Sequence, residues 1–167
     1  CCGTGCVGLA ILKHVSDEIH GVFADLSEPA LEVARHNITA LHLTGRALAF
    51  QADAAKPADP VLGRFQLIVC NPPYIPTEEI PTLDIEVQKE PHMALDGGAD
   101  GLDFYRAVSR NYAPALTSGG TLAFEVGLGQ FEAVMAILEQ AGYSKVQYFC
   151  DLAGVERVVT GCWEQGL

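Results

Sequence analysis

The sequence predicts an α/β fold, a mostly parallel sheet with helices on both faces that ends in an antiparallel hairpin. Three observations carry this prediction. Short apolar runs alternate with helix-like stretches over most of the 167 residues. A glycine-rich turn, Gly3-Thr4-Gly5-Cys6-Val7-Gly8, opens the first helical stretch. The last two apolar runs are separated only by a turn.

Taken in order, Cys6 to Val15 read as a helix and Gly21 to Asp25 (GVFAD) as a buried strand. Glu28 to Leu41 form an amphipathic helix with Leu31, Ala34 and Ile38 on one side and Ser27 as its N-cap. Ala47 to Gln51 and Phe65 to Cys70 (FQLIVC) are strands joined by a proline-marked link. Residues 75–100, rich in proline and acid, read as a long, partly irregular excursion, and loops of that length in a compact domain are usually functional or disordered. Regular alternation resumes with a helix over Gly101–Leu116, a strand at Thr121–Val126, a helix at Gln130–Ala141 and a hairpin of Val146–Cys150 and Val155–Trp163. A glycine-rich turn of this kind normally follows a strand. None precedes it here, so the expectation is an N-terminally truncated chain lacking its first strand. With no repeat or linker, residues 1–167 read as one domain.

Composition narrows the function. Hydrophobic residues at 49% and charged residues at 19% describe a globular chain. Ten basic residues against 21 acidic ones give a net charge of −11, which offers no basic stripe for nucleic acid. No apolar run approaches the roughly 18 residues of a membrane span. The six cysteines (Cys1, Cys2, Cys6, Cys70, Cys150 and Cys162) form no CxxC pair, so no metal site is expected. Scattered thiols fit a reducing cytoplasm.

Two motifs bear on chemistry. In Gly3–Gly8 the glycines let backbone approach a ligand, and Asp25, about twenty residues on, is placed to accept hydrogen bonds from ribose hydroxyls. That combination indicates an adenosine-containing cofactor and suits a nicotinamide dehydrogenase as well as a methyltransferase. Asp53, beyond the Ala47–Gln51 strand and followed by Ala54, lies where an adenine amino group could be bound; as a lone acid it is equally a capping or turn aspartate. The stronger motif is Asn71-Pro72-Pro73-Tyr74, directly after FQLIVC. Two prolines hold an extended turn and remove two N–H groups. The Asn71 side chain and the Pro72 carbonyl can then accept both hydrogens of a substrate NH₂, while Tyr74 packs against the planar group being modified.

In these motifs and beyond them, the chain resembles the glutamine methyltransferases that modify peptide chain release factors, from about Cys1 to Trp163. The likeness includes Asp25-Leu26-Ser27, Ala30, Leu31, Ala34 and Asn37. It continues through Glu90-Pro91, Ala94-Leu95-Asp96-Gly97-Gly98, Asp100-Gly101-Leu102 and Tyr105-Arg106. It ends with Glu125-Val126-Gly127, Gln130, Asp151-Leu152-Ala153-Gly154 and Arg157. The resemblance implies a Rossmann-like, class I S-adenosylmethionine-dependent fold and methyl transfer to the side-chain amide of the glutamine in a release factor's Gly-Gly-Gln motif. It implies cofactor contacts at Gly3, Thr4, Gly5, Asp25, Leu26, Asp53, Ala54 and Asn71, and a substrate site at Asn71, Pro72, Pro73 and Tyr74, with Asn71 and Pro72 in the catalytic role. Family members also carry a helical N-terminal domain, which this sequence does not include. Cys1 and His92 depart from the family, standing where a glycine and an arginine are usual. Two alternatives stand beside this reading: a nucleic-acid amino-methyltransferase, which shares the tetrapeptide, and a non-catalytic truncated fragment. Glu90 and Asp96 shape the cleft or receive the substrate or, equally, simply make turns.

Overall fold

The computed structural model describes residues 1–164. The chain divides into two compact units, Cys1–Ala54 and the remainder from Ala55.

In the first unit, α1 (Cys6–His14), β1 (Gly21–Asp25), α2 (Glu28–Ala40) and β2 (Ala47–Gln51) follow the expected order. β1 and β2 pair in parallel, Gly21 opposite Ala47 through Asp25 opposite Gln51. Ser27 caps α2 as predicted, its hydroxyl accepting from the Ala30 N–H at 3.4 Å, with Pro29 in the first turn, where a missing N–H costs nothing. Leu9 and Leu12 of α1, Phe23 of β1, Ile38 of α2 and Leu43 form a buried cluster. Gly8 makes that packing possible, because a Cβ there would lie 2.5 Å from Cε1 of the buried Phe23 ring.

The second unit contains β3 (Phe65–Cys70), α3 (His92–Leu95), α4 (Asp103–Asn111), β4 (Leu116–Glu125), α5 (Phe131–Gln140), β5 (Ser144–Cys150) and β6 (Glu156–Trp163). Its sheet has the order β3-β4-β6-β5, with β3 and β4 parallel and the other two pairings antiparallel, so the C-terminal hairpin is present. The core lies on β4 and the residue after it, where Leu122, Phe124 and Val126 are fully buried at the spacing of two that extended backbone requires. Tyr105 of α4 meets Phe124 edge-on, ring centroids 5.1 Å apart, and gives its hydroxyl hydrogen to the Glu125 carbonyl at 3.0 Å. Burial pushes the Tyr105 phenol well above its ordinary range, so it stays a donor.

Two sequence expectations are corrected. The helix expected over Gly101–Leu116 stops at Asn111, and the strand expected from Thr121 begins at Leu116. Pro114 has no N–H to continue the helix and sits in a single 3₁₀ turn, Ala113–Ala115. The strand then starts at once and bulges, its register against β3 shifting between Phe65 and Leu67, with Gly119 at φ 77°. Residues 75–100 prove more ordered than expected, with 3₁₀ turns at Ile80–Thr82 and Val87–Lys89, the short α3, and a parallel bridge between Ile75 and Asp96.

Gly8→Ala is expected to destabilise the fold by about 1–3 kcal/mol through overpacking on Phe23. Gly45→Ala, where an added methyl would meet nothing within 4 Å, serves as the control. Urea unfolding of both variants checks this, and equal midpoints would exclude the packing role given to Gly8.

Candidate active site

The glycine turn of the first unit is built around Asp25. One carboxylate oxygen accepts from the Gly3 N–H at 2.8 Å, the other from the Ser27 N–H at 3.0 Å. The turn is fixed further by Cys2 N–H to the Ala24 carbonyl and Gly5 N–H to the Cys2 carbonyl, both 2.9 Å, and by the Asn37 amide donating to the Thr4 carbonyl at 3.0 Å. Gly3 and Gly5 have φ of 53° and 84°, a region that favours glycine. No atom lies within 4 Å of where a Gly3 Cβ would stand, so the backbone at Gly3 faces open space. The Ala52 N–H donates to the Asp25 carbonyl at 2.9 Å, which places Asp25 and Leu26 beside Asp53 and Ala54 at the carboxyl end of the strand pair. Each Asp25 oxygen still has lone-pair capacity, so the carboxylate that holds the turn can also receive ribose hydroxyls. Burial pushes the neighbouring Cys2 thiol up to about 11, which makes it inert.

In the second unit, Asn71-Pro72-Pro73-Tyr74 leaves the carboxyl end of β3, with Asn71 exposed, both prolines buried and Tyr74 half-buried. No described residue shares a hydrogen bond with the Asn71 amide or donates one to the Pro72 carbonyl. Both acceptors therefore remain available for a ligand.

The chain beyond the tetrapeptide is held on several sides. The Gln130 amide donates to the Tyr74 carbonyl at 2.9 Å, and its oxygen accepts from the Gly127 N–H at 3.1 Å. Ile75 is bracketed by its N–H donating to the Leu95 carbonyl (3.0 Å) and its carbonyl accepting from the Gly97 N–H (2.9 Å). Three glycines make room. A Cβ on Gly97 would lie 2.8 Å from Tyr74 Cα, one on Gly101 2.3 Å from the Tyr74 carbonyl oxygen, and one on Gly127 2.9 Å from Tyr74 Cδ2. Asp96 accepts from the Thr77 hydroxyl at 2.7 Å and the Gly98 N–H at 3.0 Å, and these bonds, Thr77's first, hold its carboxyl below the usual range. Asp96 is thus a turn-making acid. Arg106 similarly binds Asp100 at 2.6 Å and Asp103 at 3.2 Å on the surface.

Sequence reasoning gives Gln130 and Gly101 no role and passes over Thr77. Gln130 and Gly101 act on main-chain atoms more than twenty residues away, and Thr77 on an acid across a long excursion; no residue pattern encodes such partners. Glu90 lies exposed at the end of the Val87–Lys89 turn. No helix among the described residues is long and apolar enough to cross a membrane.

The methyltransferase small domain family matches residues 1–87. A release factor glutamine methyltransferase of Bradyrhizobium diazoefficiens is 44% identical over 160 residues, covering 95% of this chain and 52% of its own length. The protein of that name from Cereibacter sphaeroides is 41% identical over 161 residues, 95% of this chain and 56% of its own. The chain thus spans about half the length of these curated relatives. A methyltransferase structure from Pyrococcus furiosus aligns with a TM-score of 0.69 at 15% identity, covering 98% of this chain and 72% of that one, which supports the class I methyltransferase fold.

Two outcomes are expected. Gly101→Ala should cost about 1–3 kcal/mol more than Gly129→Ala in thermal unfolding, because the positive φ is similar (72° and 77°) but only Gly101 abuts backbone. Thr77→Ala should raise the Asp96 pKa toward the ordinary carboxylate range, read by NMR titration. The sign follows from the depressed folded pKa: Asp96's contribution to stability is present above the unfolded pKa and lost as pH falls through the folded one.

Proposed function

Because the chain belongs to the methyltransferase small domain family, we propose that residues 1–167 are the catalytic domain of an S-adenosylmethionine-dependent enzyme that methylates a glutamine side-chain amide, that of the Gly-Gly-Gln motif in peptide chain release factors. The observation that carries this reading is the pair of unclaimed acceptors, the Asn71 amide oxygen and the Pro72 carbonyl, on a turn whose last residue, Tyr74, is clamped. The names of relatives matched over 95% of this chain support a release factor glutamine as the group modified.

S-adenosylmethionine, when bound, supplies an electrophilic methyl group on a sulfonium sulfur. Gly3, Thr4 and Gly5 would present open backbone to it, Asp25 and Leu26 would meet its ribose, and Asp53 and Ala54 its adenine. The substrate amide is a weak nucleophile because its nitrogen lone pair is delocalised into the carbonyl. Asn71 and Pro72 would each accept one of its hydrogens, orienting the lone pair for attack, while Tyr74 and Pro73 pack the amide plane. The amide nitrogen so oriented would take up the methyl group and give up one proton to solvent. Orientation of this kind is worth about 7–11 kcal/mol at best, and the polar groups add electrostatic preorganisation.

A nucleic-acid amine is the other substrate class served by the tetrapeptide, and the net charge of −11 disfavours it. Release factors place the reaction in the cytoplasm, with no direct nucleic-acid or membrane partner.

In the full-length protein, labelled methyl groups from S-adenosylmethionine are expected on the Gly-Gly-Gln glutamine of a release factor. Cofactor binding without label there would retain the methyltransferase and discard the substrate. Asn71→Ala should reduce kcat about 100- to 1,000-fold while the protein still binds cofactor. Unchanged turnover would remove Asn71 from the mechanism.

A further inference from the structure

We propose that Gln130 is a positioning residue for the tetrapeptide, its side-chain amide setting the geometry in which Asn71, Pro72 and Tyr74 meet the substrate; the proposal rests on the active-site reading above. Gln130 stands at the N-cap of α5, and its own N–H donates to the Gly127 carbonyl at 3.1 Å, so its backbone is anchored in the turn after β4. From there the side chain spans two backbones, accepting from Gly127 and donating to Tyr74. A primary amide on a two-methylene stem can do both at once. A carboxylate offers no donor for Tyr74, and a thioether offers neither bond in useful strength.

The surroundings make this contact decisive. Pro72 and Pro73 have no N–H, so the turn has two fewer means of tying itself to its neighbours. The Tyr74 carbonyl is the first main-chain acceptor beyond the two prolines. Gln130 Nε2 lies 2.8 Å from where a Gly101 Cβ would be, so the absence of a side chain at Gly101 makes the contact possible. Gly127 meets both parties at once, since a Cβ there would lie 2.6 Å from Gln130 Oε1 and 2.9 Å from the Tyr74 ring. Tyr74 therefore has its carbonyl fixed by Gln130 and its ring against the residue that Gln130 also holds. Rotating the Pro73-Tyr74 unit breaks the first contact and loosens the second.

The test uses Gln130→Glu and Gln130→Met in the full-length protein, assayed at about pH 8.5 so that the introduced carboxyl is ionised. Gln130→Glu keeps the acceptor for Gly127 and replaces the donor to Tyr74 with a carboxylate oxygen that repels the Tyr74 carbonyl. It is expected to remain folded and keep its cofactor affinity, to lower kcat about 10- to 100-fold with little change in KM, and to speed amide hydrogen exchange at Ile75 and Thr77, whose N–H groups donate to the Leu95 and Gly98 carbonyls. Gln130→Met, which loses both bonds, should show the same kcat loss together with a lower midpoint. A Gln130→Glu variant with wild-type kcat and unchanged exchange would overturn the proposal. If the wild-type protein binds cofactor but methylates no release factor, the substrate reading fails separately. Faster exchange at Ile75 and Thr77 in Gln130→Glu would then still support the clamp, and unchanged exchange would still refute it.

Discussion

Two consecutive prolines at the end of a strand impose the constraint on which the second unit depends. They keep Asn71-Pro72-Pro73-Tyr74 extended, and they remove two of the donors by which a turn ordinarily secures itself. The segment must then be held from outside, and the structure supplies that hold from three places in the chain. Gln130 reaches from the start of α5, Leu95 and Gly97 bracket Ile75, and Gly101 yields the space through which the Tyr74 carbonyl is approached. Tyr105 supports the same region by donating to Glu125, at the end of β4 and two residues before Gly127. The long excursion between Tyr74 and α4 is therefore part of the brace.

The first unit solves a different problem with similar means. Its glycine turn leaves backbone open at Gly3 yet keeps its shape, secured by the Asp25 carboxylate and the Asn37 amide. The glycines divide the work. Gly3 faces open space, whereas Gly8 faces the Phe23 ring closely enough that its lack of a side chain sets how near α1 can lie to β1.

Most strands and helices were legible in the sequence because apolar periodicity and caps act locally, as in GVFAD, FQLIVC and the Ser27-capped helix. The boundary at Asn111–Leu116 was not. A run with helical apolar spacing continued to Leu116, and only Pro114 and the strand pairing with Phe65 end it, the second being a contact far along the chain. The candidate residues, the tetrapeptide and Asp25, could be singled out because the chemistry expected of them resides in side-chain types at fixed spacing. The clamp could not, since Gln130 and the three glycines act on carbonyls and Cα atoms, whose positions no residue name reveals. Asp96 shows the converse: an acid that could equally have faced a substrate proves to be occupied by Thr77 and Gly98.

The closeness of Gly97 and Gly101 to the Tyr74 main chain bears on how such a fold can change over time. Where side chain meets side chain, a substitution on one side can be answered on the other. Where a glycine abuts backbone, no neighbour is free to shrink, and variation at those two positions has no compensating partner. Divergence would therefore accumulate at exposed positions such as Glu78, Glu79 and Ile85, while the frame around Tyr74 stays the same.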